Sequence, residues 1–284
     1  MDIINTLKDD YKRWEEKKLN NFVPQADNLM VEIINADSLK QSEKSKIKDL
    51  LTQHNLVFYQ FKSIKKSTSD SVLSFSKQLG LEDFDYNLRT DKTGLTSITA
   101  QDDVDKQDEY VPFTTKQLNW HTDGYYNLPK ESIHSWLLHC EEPAKDGGEN
   151  EFLDHEIAYI LFNQKNKNIS CLMDSNAYTI PKNEKTGRES VNGYVFSFDN
   201  KYKKLHMRFT MRENNIHWDE NVIDEINQLK EIIKQSTEFH VRYKLDSRQG
   251  AITNNILHNR SSFTNLDNQT RLIYRIRSKK RVVF

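Results

Sequence analysis

Apolar positions open the chain at helical spacing. Ile3, Ile4, Leu7, Tyr11 and Trp14 recur near every third or fourth residue and predict an amphipathic helix over 3–18. Leu29-Met30-Val31-Glu32-Ile33-Ile34 reads as a strand, Ser38 as the cap of a helix running to Gln53, and Leu56–Phe61 as an aromatic, β-branched strand. Ser69 to Leu79 predicts a short helix ended by Gly80. From 81 to 118 the pattern dissolves into Asp-rich, irregular sequence. Connectors of that length in compact domains are binding loops or lids, so a lid is expected there. Beyond it, short strand-like runs occupy 133–140, 151–153, 191–198, 204–210, 239–245, 249–257 and 271–277, with helices at 155–164 and 221–235. Many short strands separated by turns predict a sandwich or barrel. The expected organisation is an N-terminal helical extension, 1–25, and one β-rich domain, 26–284, decorated by helices.

Composition narrows the partners. The chain has 284 residues, 36% of them hydrophobic, with 14 Phe, 12 Tyr and 4 Trp, enough aromatic mass for a substantial core. A net charge of −1 argues against nucleic acid and anionic membranes and favours a small-molecule substrate. The two cysteines, Cys140 and Cys171, form no CxxC pair, which excludes a zinc ribbon or disulfide framework. The N-terminus shows no signal-peptide pattern and no run reaches membrane-spanning length, so a cytoplasmic protein is expected. Self-association into a homo-oligomer is left open.

Chemistry enters at Trp120-His121-Thr122-Asp123-Gly124-Tyr125-Tyr126. In an extended strand, residues i and i+2 share a face, so the His121 imidazole and Asp123 carboxylate would converge. They supply two corners of a 2-His-1-carboxylate triad, which holds Fe(II) and leaves positions open. The triplet alone is weak, because about one His-x-Asp is expected by chance at this composition. A second one, His217-Trp218-Asp219, is present, but Asp219 precedes a helix start and reads as an N-cap. His139, which ends an apolar run, reads as a core or strand-edge residue. His134, His155, His206, His217 and His240 are likewise taken as structural.

The third corner must be a distant histidine. Gly250 to Arg260 reads as one strand running into His258. In the next strand Arg271, Ile273, Arg275 and Arg277 share one face, with Leu272, Tyr274 and Ile276 on the other. Guanidinium groups facing one way form a receptor for carboxylates. The same pattern also fits an edge strand with a solvated basic face.

His121-Thr122-Asp123, Gly147-Gly148-Glu149, Leu257-His258-Asn259-Arg260, and Arg271 with Arg275 resemble, in order and spacing, the taurine dioxygenase (TauD/TfdA) family of Fe(II)/2-oxoglutarate-dependent oxygenases. The likeness covers residues 28–278, and 133–158 is most similar to the gamma-butyrobetaine hydroxylase-like branch. It implies a mixed α/β, mainly β fold: a double-stranded β-helix (jelly-roll, cupin-like) core with flanking helices. It implies iron ligation by His121, Asp123 and His258, with Arg271 pairing the far carboxylate of 2-oxoglutarate. Arg275 matches an arginine that reaches the substrate's acid or supports the cosubstrate. Asn150 stands where the family often has a Thr that bonds 2-oxoglutarate. Asn254-Asn255 replaces the usual Asp-Asn, and Asn259 the usual Gly, which affects the surroundings of the ligands and not the ligands themselves.

The implied chemistry uses Fe(II), 2-oxoglutarate and O2, releases succinate and CO2, and hydroxylates or desaturates an unactivated C–H. Halogenating relatives carry a small residue in place of Asp123, so its carboxylate argues against halogenation. Tyr125 and Tyr126 are candidates to wall the pocket, with core packing as the competing reading. Gln117 and Asn119 are candidates for polar substrate contacts. Arg275 points to a carboxylate- or sulfonate-bearing substrate, an amino acid or betaine-like zwitterion. Two alternatives remain at this stage. One is a cupin-like hydrolase or isomerase with the same ligands and no 2-oxoglutarate; the other is a non-catalytic binding module.

Overall fold

The computed structural model describes residues 8–64, 66–87, 89–100, 111–166, 168–184 and 187–283. Among these, the helices are α1 Lys8–Asn20, α2 Gln41–His54, α3 Thr68–Gln78, α4 His155–Lys165 and α5 Ile223–Gln235. The strands are β1 Met30–Ile33, β2 Leu56–Phe61, β3 Thr96–Thr99, β4 Leu118–His121, β5 Ser135–Glu142, β6 Asp146–Gly147, β7 Asn150–Leu153, β8 Tyr178–Ile180, β9 Val191–Gly193, β10 Phe196–Asp199, β11 Lys204–Met207, β12 His217–Trp218, β13 Val241–Tyr243, β14 Gln249–Thr253, β15 Leu257–Arg260, β16 Phe263–Thr264 and β17 Leu272–Ser278.

Two facing sheets make the barrel. The larger runs β1-β2-β14-β5-β17-β3 and the smaller β13-β7-β15-β4. Phe58, Trp136, Ala251 and Ile273 of the larger sheet meet Phe152 and Val241 of the smaller in one apolar core. The alternate residues of the larger sheet, Val57, Tyr59, Leu137, Ile252 and Ile276, face outward. They are covered by Ile47 and Leu51 of α2 and by Val72 and Phe75 of α3. Burying each such aliphatic or Phe side chain contributes about 1.5–3 kcal/mol, which is why the amphipathic stripes of these helices dock here. A third cluster joins α4, α5 and Tyr11 of α1 to Trp120 and Leu257. The result is the mixed α/β, mainly β jelly-roll that the resemblance implied.

Several elements differ from the reading of the chain. Helix α2 begins after Lys40, not at Ser38. The Glu43 carboxylate accepts from Lys40 N (2.7 Å) and Ile34 N (2.8 Å) and thereby satisfies the helix entry. Strand β3 lies inside the stretch expected to be irregular. Its buried positions, Thr96 and Ile98, form no apolar run to announce it. Leu88 and residues 101–110, the centre of the expected lid, lie outside the described residues, as do residues 1–7 of the expected first helix. The run 191–198 is divided between β9 and β10.

The correction that matters most concerns 250–260. It is two strands, β14 in the larger sheet and β15 in the smaller. They are parted at Asn254-Asn255-Ile256, where Asn255 takes a left-handed φ of 57°. Asn tolerates that region better than most residues because its short amide bonds locally. This crossing between sheets delivers His258 to the strand beside β4.

Candidate metal centre

His121 and His258 are cross-strand neighbours in the antiparallel pair β4–β15, with ring centroids 4.2 Å apart. Asp123 is not on the strand as expected. β4 ends at His121, and Asp123 occupies the turn that follows. Asn255 holds that turn. Its Oδ1 accepts from Asp123 N (2.8 Å), and its Nδ2 donates to Asp123 O (3.0 Å) and Ile133 O (2.7 Å). Gly124 follows at φ +67, and a Cβ there would lie 2.4 Å from Ile133 Cγ1, so the turn admits only glycine. Carboxylate and imidazoles meet all the same. One ligand atom from each of His121, Asp123 and His258 lies within 4.8 Å of the others, and all three residues are buried.

Two carbonyls fix the tautomers. A carbonyl only accepts, so His121 Nδ1 donates to Asn119 O (2.8 Å) and His258 Nδ1 to Ile256 O (3.1 Å). Nε2 of each ring is left as the ligand atom, the usual arrangement at a metal. Burial, reinforced by the neighbouring His121, pushes His258 down to about 3, so its ring is neutral at physiological pH. Burial alone would raise Asp123; Arg275, the His121 contact, Arg277 and His258 together hold it well below the usual carboxylate range. Two imidazoles and one carboxylate suit Fe(II), which accepts nitrogen and oxygen donors in a facial set.

The basic face of β17 is as expected for Ile273, Arg275 and Arg277, which point inward while Tyr274 and Ile276 join the outer cluster. These arginines are not solvated. Arg275 is buried, with Nη1 3.8 Å from Asp123 Oδ2 and with Nε and Nη2 lacking an acceptor among the described residues. Arg271 is buried over the Phe263 ring at 5.0 Å. Its backbone N–H bonds Asn265 Oδ1 at 3.0 Å, and its guanidinium has no acceptor among the described residues. Burial pushes Arg271 down to about 10, leaving it charged at neutral pH. Arg277 is committed, donating to Tyr126 OH (3.0 Å) and pairing with Asp85.

The remaining candidates scatter. Asn150 is buried on β7; its Nδ2 donates to Asn259 O (2.8 Å) and its Oδ1 has no donor. The Tyr125 ring lies in the apolar cluster of Tyr178 and Phe209, with its hydroxyl bonded to Asn215. Tyr126 is half-buried beside Arg277 and under Arg188 (5.6 Å). Gln117 and Asn119 are exposed, and strand alternation puts Asn119 on the face of His121. Asp219 is the N-cap that its context suggested, accepting from Asn221 N at 2.9 Å. His139 is a core residue on β5, in contact with Tyr59 OH at 3.1 Å.

Two arginines escaped the sequence reading. Arg260 donates to the carbonyls of Pro112 (3.2 Å), Thr114 (2.9 Å) and Lys116, tying residues 112–116 to the ligand strand. Arg208 is almost fully buried and donates to Tyr125 O (2.9 Å) and Asn127 O, bracing the turn after Asp123. An arginine inside Leu205-His206-Met207-Arg208-Phe209 was the signal available for the second.

Paired histidines and an acid gathered in a two-sheeted barrel, with buried arginines on and next to β17, are the features of a jelly-roll metal-dependent oxygenase. The chain belongs to the taurine catabolism dioxygenase TauD, TfdA family, whose model matches residues 22–277. A search of curated protein sequences finds no match. Among solved structures, it is similar to the non-heme iron oxygenase OrfP in complex with Fe and alpha-ketoglutaric acid. The identity is 14%, the TM-score 0.64, and 86% of this chain and 81% of that chain are covered. PvcB from Pseudomonas aeruginosa gives 15% identity, TM-score 0.60 and coverage of 88% and 85%. A putative alpha-ketoglutarate-dependent taurine dioxygenase from Burkholderia xenovorans gives 15%, 0.60, 89% and 87%.

Proposed function

We propose that the protein hydroxylates an unactivated C–H of a small polar substrate bearing a carboxylate or sulfonate, with 2-oxoglutarate as cosubstrate. The observation that carries this reading is the buried Arg275 guanidinium, 3.8 Å from Asp123 of the His121–Asp123–His258 cluster and with Nε and Nη2 unpartnered among the described residues, together with a second buried arginine, Arg271. Buried donors without acceptors cost free energy unless a ligand completes them. A dicarboxylate is such a ligand, and it needs a metal partner for its keto-acid end.

His121, Asp123 and His258 hold Fe(II), which when bound supplies O2 activation coupled to decarboxylation of 2-oxoglutarate to succinate and CO2. Arg271 receives the far carboxylate of the cosubstrate, and Asn150, buried on β7, is the candidate second contact to it. Arg275 steadies Asp123 and presents Nε and Nη2 to the acid of the substrate. Tyr126, Asn119 and Gln117 are the candidate substrate contacts. Tyr125 serves chiefly by packing under the turn. The oxygenase activities of OrfP and PvcB and the taurine-dioxygenase likeness support oxygenase chemistry on small molecules. The likeness to the gamma-butyrobetaine hydroxylase-like branch rests on residues 133–158 alone and keeps betaines in the substrate panel.

The test is succinate release under air with Fe(II), screened over amino acids, betaines and sulfonates. We expect release to need 2-oxoglutarate, to rise with the true substrate, and to need at least about tenfold more 2-oxoglutarate in Arg271→Ala. Turnover of any substrate by Arg271→Ala without 2-oxoglutarate would instead favour a hydrolase or isomerase.

A further inference from the structure

Helix α1 lies before the family-matched residues, yet it carries a buried charge, Lys18. Lys18 Nζ sits 2.6 Å from Asp154 Oδ2 and 2.6 Å from Glu156 Oε2, and donates to Gln53 O at 2.9 Å. Its side chain is 6% exposed, and each carboxylate 5%. The surroundings continue from there without a gap. Asp154 caps α4 through Glu156 N (2.9 Å) and accepts from Asn55 Nδ2 at 3.0 Å. Asn55 Oδ1 accepts from Asn254 Nδ2 (2.9 Å), and Asn55 O accepts from Asn254 N (3.0 Å). The next residue is Asn255, whose amide grips both backbone groups of Asp123.

We propose that Lys18 is a positioning residue for the metal centre, acting through Asp154, Asn55 and the Asn254-Asn255 turn on the backbone of Asp123. Three features support this over a merely structural ion pair. A lysine placed between two buried carboxylates has little freedom, because an unpaired charge in that environment is costly. The relay contains two left-handed asparagines with side-chain bonds: Asn55 at φ 55°, which also caps α2 through its N–H on Leu51 O (3.1 Å), and Asn255 at φ 57°. Asn254 also stands where the resemblance expects Asp. An amide there donates to Asn55, which a carboxylate could not do, so this chain has the donor its own relay needs. The inference rests on the reading of His121, Asp123 and His258 as ligands, and the test separates the two.

Co(II) titration of the full-length protein, followed by visible absorption and paired with thermal denaturation, is the experiment. Tyr11→Phe is the control. It removes the bond from Asn163 Nδ2 (3.0 Å) in the same α1–α4 contact but leaves the relay intact. We expect Lys18→Met to weaken Co(II) binding by about tenfold or more, as loss of outer metal-site support does. Lys18→Arg should recover most of the affinity, and Tyr11→Phe should lower thermal stability without changing it. Asn55→Gly keeps the left-handed backbone while deleting the amide link, and should reproduce the Lys18→Met loss even if Lys18→Met fails to fold. Wild-type Co(II) affinity in Asn55→Gly, or equal losses in Lys18→Met and Tyr11→Phe, overturns the proposal. Absence of Co(II) binding by the wild type would instead overturn the ligand assignment.

Discussion

His258 and His139 are both pushed down to about 3 by burial, but they answer to different causes and different partners. His258 faces His121 and Asp123, whereas His139 lies among Tyr59, Phe61 and the larger sheet. For His139 the folded value lies below the ordinary 6.5. The unfolded chain therefore takes up the proton first as pH falls. Stability from the neutral ring is complete above 6.5 and lost progressively from 6.5 toward 3. In His139→Gln the acid slope of unfolding free energy should flatten in that window by up to about 1.4 kcal/mol per pH unit. Chemical denaturation at a series of pH values checks this, and an unchanged slope would contradict it. At this scale the sequence singled out His121, Asp123 and His258, which the fold gathers into one buried cluster, and Arg271 and Arg275, which it buries. What escaped was the support. Asn255 looks like any polar loop residue until the fold brings Asp123 and Ile133 to its amide, and nothing local encodes those contacts.

Strand β2 was legible as an aromatic, β-branched run although both of its faces are buried, and β17 by the alternation with which it begins. Strand β3 was not, since Thr and Ser fill three of its four positions and its pairing with β17 comes from tertiary structure. The break between β14 and β15 was hidden for a related reason. Both strands are buried throughout, so the run reads as continuous, and only a left-handed asparagine marks the crossing. The clamp of Arg260 on residues 112–116 gives an element-scale prediction. Arg260→Ala removes charge-assisted bonds to three carbonyls and should cost up to about 3 kcal/mol of stability. Amide hydrogen exchange over 111–117 should accelerate well beyond that of β15. Protection there equal to wild type would show that the segment is held by other contacts.

For the molecule as a whole, two sheets, the core between them and two helix-packed clusters serve to bring parts remote in the chain to one point. The first ligand strand sits at 118–121, the last at 257–260, and the arginines follow at 271 and 275. No helix among the described residues is long and apolar enough to cross a membrane. The family match begins at residue 22, but α1 packs its Tyr11 and Lys18 into α4. A domain boundary at residue 25 was the natural reading of the sequence, because nothing in an amphipathic helix announces which surface it will cover. The central claim is that His121, Asp123 and His258 hold a metal to which a keto acid gripped by Arg271 can chelate. Anaerobic addition of 2-oxoglutarate to the Fe(II)-loaded protein measures it most directly. A weak visible charge-transfer band should appear, vanish in His258→Ala, and require more 2-oxoglutarate in Arg271→Ala. Folded, iron-loaded wild-type protein that shows no such band would contradict the account.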